Sequence, residues 1–195
     1  MPRKPGGPAS VKLYEDYRAY LEGRIQLRTK ISHEAVGRPV KLAAPYSPMY
    51  PAAGAAALTD GKRAFPEYRD PRWQGFHGED LDATIDLGKA TEVRTVTAGF
   101  LRYVIAGIYL RAEVEVAVSD DGQEFRLVGT VKPESPPAQD DPTVRDVSIE
   151  LKQVTARYVR VRARSLRTIP AGQPGAGEKA WLFVDEIAVN PALPK

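Results

Sequence analysis

Short apolar runs, alternating or continuous and each closed by a turn signal, set the pattern of this chain. The first four are Val40-Lys41-Leu42, Ala83-Thr84-Ile85-Asp86-Leu87, Val93 to Leu101 and Val114-Glu115-Val116-Ala117-Val118. Phe125 to Val131, Val144 to Leu151, Arg157 to Arg164 and Trp181 to Val189 complete the set. A period of two is the side-chain repeat of a strand. Asp60-Gly61, Leu87-Gly88-Lys89, Asp120-Asp121-Gly122 and the stretch Gly172 to Gly177 supply the turn chemistry between runs. Alternation is strictest in Val159-Arg160-Val161-Arg162-Ala163-Arg164, which predicts an arginine face opposite a small apolar face. Eight short strands with no helical period between them predict a two-sheet β-sandwich.

The N-terminal region reads differently. Residues 1–8 are basic and rich in Pro and Gly, the composition of a disordered lead-in. Val11, Leu13, Tyr14, Tyr17, Tyr20, Leu21 and Ile25 recur at spacings that predict an amphipathic helix over about 11–26. Arg24 to Ile31 alternates as an exposed-face strand would. Neither segment can bury its own apolar face, so residues 1–32 read as an N-terminal extension to a sandwich spanning 33–195. The stretch Pro133 to Pro142, with four prolines, reads as a surface loop.

Composition narrows the chemistry. The 195 residues carry 28 Lys+Arg against 25 Asp+Glu, a net charge of +3 that is too small and dispersed to indicate a nucleic-acid partner. Cysteine is absent, which removes disulfide frameworks and thiolate chemistry. No apolar run approaches the roughly 20 residues of a membrane span, and no signal peptide is visible behind the basic start. His33 and His77 lie far apart, outside any HExxH pattern. Of the carboxylate pairs, Asp120-Asp121 belongs to a hairpin turn, and Asp185 and Glu186, as strand neighbours, are expected on opposite faces. With no GxSxG elbow and no phosphate loop, the reading is of a non-catalytic chain.

Binding chemistry is better represented. Tyr68-Arg69-Asp70-Pro71-Arg72-Trp73-Gln74-Gly75-Phe76-His77 mixes aromatic rings with arginines in a turn-rich region. Aromatic faces stack on the C–H faces of sugars, while Arg, Gln and Asp reach hydroxyls. Trp73 and Phe76 also fit as plugs at one end of the core, whereas Tyr68, Arg69 and Arg72 are expected at the solvent. Arg102-Tyr103 is a second candidate, or else a strand-end anchor. The arginines at 160, 162 and 164 could face an anionic polymer or simply form a solvated sheet face.

A family resemblance rests on residues in order along the chain. These are Tyr50-Pro51-Ala52-Ala53-Gly54, Ala57-Leu58-Thr59-Asp60-Gly61, Arg72-Trp73-Gln74-Gly75-Phe76, Ile85-Asp86-Leu87-Gly88 and Val118 to Phe125. Arg157-Tyr158-Val159-Arg160-Val161 and Pro174-Gly175-Ala176-Gly177 with Trp181-Leu182-Phe183-Val184-Asp185-Glu186-Ile187 follow. Over roughly residues 33–190 this resembles a coagulation factor five/eight type C (discoidin-like) domain, the jelly-roll fold shared with carbohydrate-binding module family thirty-two. The wording is most similar to the C-terminal module of bacterial family-twenty β-N-acetylhexosaminidases.

The resemblance implies a secreted or periplasmic accessory module whose partner is a glycan or a catalytic hydrolase domain, with residues 9–32 the tail of a preceding domain. Sugar contacts would come from the loops 68–77, 102–106 and 168–180, making Tyr68, Arg69, Arg72, Trp73, Arg102, Tyr103 and Trp181 the candidates. Near Ala171-Gly172-Gln173 the family often presents an aromatic and a histidine that this sequence lacks. A structural Ca2+ ion is also implied, with Asp60 and Glu186 as carboxylate ligands and Ala57, Lys62, Phe65 and Asp185 as carbonyl ligands. Lys62 and Phe65 stand where the family often has Asn and Thr.

Overall fold

The computed structural model describes residues 8–22, 30–110, 113–132 and 142–192. The lead-in, the strand expected over 24–31 and the Pro133 to Pro142 loop fall almost wholly outside them. Seven strands are present among the described residues: β1 (Val40–Leu42), β2 (Gln74–His77), β3 (Leu81–Arg102), β4 (Val114–Ser119), β5 (Arg126–Val131), β6 (Thr143–Ala163) and β7 (Trp181–Val189). They hydrogen-bond in the order β2-β7-β3-β6-β4-β5, with β1 also on β3, and every pairing is antiparallel. The fold is a discoidin-like jelly-roll β-sandwich.

The expected eight reduce to six because two pairs of short runs are each one long strand, and the unforeseen β2 makes seven. Ala83–Leu87 and Val93–Leu101 lie in the 22-residue β3, and Val144–Leu151 and Arg157–Arg164 lie in the 21-residue β6. Leu87-Gly88-Lys89 is a kink rather than a chain reversal. Gly88 takes φ 81°, and the β3–β6 register shifts between Asp86 and Thr91 without pairing being abandoned. A glycine in that conformation bends a strand without steric cost. On one side of the kink β3 and β6 join β1 and β4; on the other, β3 joins β7. The sequence reading missed β2 outright, since Gln-Gly-Phe-His shows no alternation, yet it pairs residue for residue with β7 from Gln74↔Val184 to His77↔Trp181.

The core lies between these layers. Leu81, Ala83, Ile85 and Leu87 of β3 and Val159, Val161 and Ala163 of β6 are buried with Phe76, Phe100, Leu182, Val184 and Ile187. Each large apolar side chain buried in this way stabilises the fold by about 1.5–3 kcal/mol. The opposite face of β6 carries the arginines as expected, but it is neutralised. Arg160 grips both oxygens of Asp82 at 2.7 Å, Arg162 reaches Asp82 at 3.2 Å, and Arg164 reaches Glu115 at 3.3 Å.

The N-terminal helix α1 runs from Pro8 to Leu21, starting earlier and ending sooner than its apolar spacing predicts. Pro8 opens it, where a missing N–H costs nothing. Tyr17 and Ala19 are buried, and Tyr17 and Tyr20 lie 5.4 and 6.1 Å from the Phe65 ring, so the helix uses the sandwich to cover its apolar face. No helix among the described residues is long and apolar enough to cross a membrane.

One irregularity shapes the functional end. Ala98 pairs with Ile187 and Phe100 with Val184, so Gly99 alone stands opposite Asp185 and Glu186. This bulge overturns the expectation that the two carboxylates face opposite ways. Asp185 Oδ2 accepts from Arg63 Nε at 2.8 Å and from the Ala64 amide at 2.9 Å, while Glu186 Oε2 accepts from the Lys62 amide at 2.9 Å. Both side chains therefore meet the same segment. A β-bulge sets two residues against one and so breaks strict alternation.

Two outcomes test this architecture. A Cβ on Gly99 would overlap Asp185 Oδ1 and Arg63 Nη2. Gly99→Ala is therefore expected to lower stability in urea denaturation by about 1–3 kcal/mol, the usual cost of overpacking. At the kink, Arg157 donates to both oxygens of Asp86 at 2.9 Å and the Gly88 amide donates at 2.8 Å. The Arg157 hydrogen bond is the largest influence holding the Asp86 carboxyl below the usual aspartate range. That stabilisation is complete above the unfolded-state pKa of about 3.9 and is lost as pH falls through the lower folded value. Asp86→Asn should flatten the acid limb of stability below about pH 4 by less than about 1 kcal/mol, since the pair is part-exposed.

Candidate functional site

The sequence Trp73-Gln74-Gly75-Phe76 builds the floor of one end of the sandwich, each residue by a different means. Trp73 is buried, and its Nε1–H donates to the Phe65 carbonyl at 2.8 Å. Gln74 Nε2 donates to the carbonyls of Pro51 at 3.2 Å and Gly54 at 2.8 Å, pinning the 51–54 turn to β2. Gly75 makes room: a Cβ there would come within 2.9 Å of both Phe183 and Tyr50. Phe76 is fully buried in the main core.

On that floor the aromatic side chains assemble. The Tyr50 ring lies 4.6 Å from Phe183, 5.2 Å from Trp181 in an edge-to-face arrangement and 6.5 Å from Tyr68. Tyr68 is 6.2 Å from Tyr103, and the guanidinium of Arg69 sits 4.9 Å above the Tyr68 ring. His77 stacks on Trp181 at 4.1 Å. Edge-to-face and cation–π contacts of this kind each contribute about 0.5–1.5 kcal/mol. The loops 103–108 and 168–180 close the rim: Gly107 O accepts from the Trp181 amide at 2.9 Å, and Tyr109 Oη donates to the Pro174 carbonyl at 3.1 Å.

Beside the cluster lies a cleft of about 420 Å³ walled by Met49, Tyr50, Pro51, Arg69, Pro71 and Trp73. Asp70 shapes its far wall. This buried carboxylate accepts from the amides of Phe65 and Arg72, both at 3.0 Å, and from Arg72 Nε at 2.8 Å. Glu67 behind it is buried, which pushes its carboxyl above the usual glutamate range, and its Oε1 stands 3.9 Å from Arg69. The cleft thus presents an exposed guanidinium whose nearest carboxylate is only loosely placed. Burial also raises the Tyr50 phenol, so its hydroxyl stays protonated at neutral pH and can both donate and accept.

Of the residues singled out from sequence, the structure brings Tyr68, Arg69, Tyr103 and Trp181 to this rim. Trp73 contributes to the cleft wall while its indole is almost wholly buried, as core packing demanded. Arg102 is buried at the end of β3 rather than presented on the loop. Arg72 turns from the rim toward α1, where it lies 4.9 Å from the Tyr20 ring. Sequence reasoning missed Tyr50 and Met49 as rim residues, and it included His77 only as the last residue of the 68–77 loop. Tyr50 was within reach, because it precedes the Pro51-Ala52-Ala53-Gly54 turn that Gln74 holds.

The residues implied as calcium ligands also converge, but on protein donors. The Lys62 amide lies 2.9 Å from both Asp60 Oδ1 and Glu186 Oε2, and Lys62 Nζ lies 3.2 Å from Asp60 Oδ2. His33 Nδ1 accepts the Ala35 amide at 3.2 Å, which leaves the proton on Nε2 to be donated to Glu186 Oε1 at 3.1 Å. The Phe65 carbonyl already accepts from Trp73 Nε1 at 2.8 Å and from the Glu67 amide at 2.7 Å. Ala57 lies in a short 3-10 turn, Ala55–Thr59, that leads into this corner.

Comparison with known proteins agrees with this architecture. A fucose-binding module of Streptococcus pneumoniae, SpX-3, superimposes with a TM-score of 0.53 at 18% identity, over 84% of this chain and 99% of that one. CpGH89CBM32-4, produced by Clostridium perfringens and solved in complex with GlcNAc-α-1,4-galactose, gives 0.51 at 14% identity, over 85% and 97%. A search of curated proteins found no match. The family model of the F5/8 type C domain matches residues 43–181. The chain belongs to the F5/8 type C domain family.

Proposed function

We propose that this chain is a non-catalytic carbohydrate-binding module that takes a glycan end at the cleft between Tyr50 and Arg69. The observation that carries the reading is the juxtaposition of the exposed Arg69 guanidinium, resting on Tyr68, with the Tyr50 phenol across a 420 Å³ cleft. Sugars need both elements: an apolar surface for ring C–H groups and convergent donors for hydroxyls. The two structural neighbours described above carry sugar ligands or sugar-binding names, which supports the reading. In the same proposal the module serves a glycoside hydrolase outside the cytoplasm. The wording of residues 72–76 and 174–187 favours a β-N-acetylhexosaminidase as that enzyme.

The chemistry asked of the site is modest. Much of the aromatic surface is committed internally: Trp181 is stacked by His77, and one face of Tyr68 is capped by Arg69. A shallow site of this kind buries little ligand area, so affinity in the millimolar range is expected for a monosaccharide.

A second reading has its own observation. Met49 and Ile105 are 70% and 51% exposed at the same end of the sandwich. Apolar side chains there suit docking on a catalytic domain without sugar contact.

Titration with N-acetylglucosamine, galactose and chitooligosaccharides, followed by NMR, separates the two. The expected outcome is shifts confined to residues 49–52, 68–73 and 103–107. Arg69→Ala should weaken binding by about tenfold or more, the worth of one hydrogen bond from a charged donor. Silence in those resonances with all three sugars would favour the docking role. Chromogenic hexosaminides are expected to remain intact in the presence of this chain.

A further inference from the structure

The corner where the family resemblance implies calcium borders a cavity of about 160 Å³ lined by Ala57, Asp60 and Lys62, yet the carboxylate oxygens there are turned to the chain's own donors. Calcium takes about six to eight oxygen ligands, so each donor must turn a lone pair toward one point. Here a backbone N–H holds that point. Asp60-Gly61 makes a turn in which Gly61 adopts φ 74°, and this swings the Lys62 amide back between Asp60 Oδ1 and Glu186 Oε2. A side chain at Gly61 would be strained, and its Cβ would sit 3.0 Å from the Ile31 carbonyl. The turn is therefore built for that amide direction.

The remaining oxygens are engaged as well. Glu186 Oε1 accepts from His33 and Asp60 Oδ2 from the Lys62 ammonium, so every carboxylate oxygen of the implied pair already has a donor. A divalent ion beside that ammonium would meet a like charge within a few ångströms, and the Phe65 carbonyl has both lone pairs in use. Next along β7, Asp185 is answered by Arg63, which also reaches Asp146. Asp185 Oδ1 has no hydrogen-bond partner, but it borders Gly99 on the Arg63 side, where a guanidinium supplies the positive charge. Among the described residues, no group of three or more His, Asp or Glu side chains is placed to hold a metal.

We propose that this module closes its 57–65 corner onto β7 with its own donors, the Lys62 amide, the Arg63 guanidinium and the His33 imidazole, while the Lys62 ammonium holds Asp60 within the corner, in place of a calcium ion. Its stability is then independent of calcium.

The full chain, dialysed against chelator, is melted with and without about 5 mM calcium chloride and titrated with calcium by calorimetry. The expected result is a midpoint unchanged within about 1 °C and no saturable heat. A saturable rise of several degrees that disappears in Glu186→Gln would overturn the proposal. As an independent measurement, His33→Phe strips Glu186 Oε1 of its donor and should lower the midpoint by about 5 °C equally in calcium and in chelator. A loss seen in chelator but rescued by calcium would also overturn it.

Discussion

Two carboxylates buried side by side have to be answered, and that requirement organises the functional end of this molecule. Asp185 and Glu186 are almost completely withdrawn from water, and an unpaired charge in such a place costs several kcal/mol. The β7 bulge aims both at one short segment, and that segment replies with consecutive groups: the Lys62 amide, the Arg63 side chain and the Ala64 amide. Because Phe65 follows directly, the same registration places its carbonyl under the Trp73 indole and its ring under α1. The cleft wall from Asp70 to Trp73 is thus positioned by electrostatic needs one layer below it.

The functional end also illustrates how aromatic residues divide their duties. Tyr50 and Phe183 each meet Trp181 edge to face and tilt against one another, and their packing depends on the space left by Gly75. Rings used in this way stiffen a rim more than they decorate it. What projects from the rim is correspondingly small, chiefly the Arg69 guanidinium and the apolar side chains of Met49 and Ile105. A rigid platform with few protruding groups is what the proposed sugar-holding role asks of this end.

Much of this was legible in the chain itself. Alternation in Ala83–Leu87 and Val159–Arg164 identified which side chains face the core, because burial on one face only writes period two into a strand. The joining of short runs into β3 and β6 was not legible, since a glycine that kinks a strand and one that reverses it look alike in sequence. Strand β2 was invisible for another reason: Gln74, Gly75 and Phe76 are all buried, so no polar face remains to alternate. Tyr68, Arg69, Tyr103 and Trp181 could be named from residue type and loop position. Arg72 could not be placed, because its direction is decided by Asp70 beside it and by Tyr20, fifty-two positions upstream. The meeting of Lys62 with Glu186 likewise joins residues 124 apart, which no local pattern records.

The length of β3 and β6 carries a mechanical consequence. Most sandwiches join their layers through loops, which can fray while each sheet persists. Here both layers share the same two backbones, paired from Leu81↔Ala163 to Asp86↔Tyr158 on one side of the kink and from Thr91↔Ala156 to Arg102↔Thr143 on the other. Peeling one layer away would shear the ladder that holds the other, so partial opening gains little chain freedom before the whole structure is lost. Cooperativity in this protein is thus a property of covalent continuity as much as of packing, and the end that carries the aromatic rim inherits the rigidity of the far end.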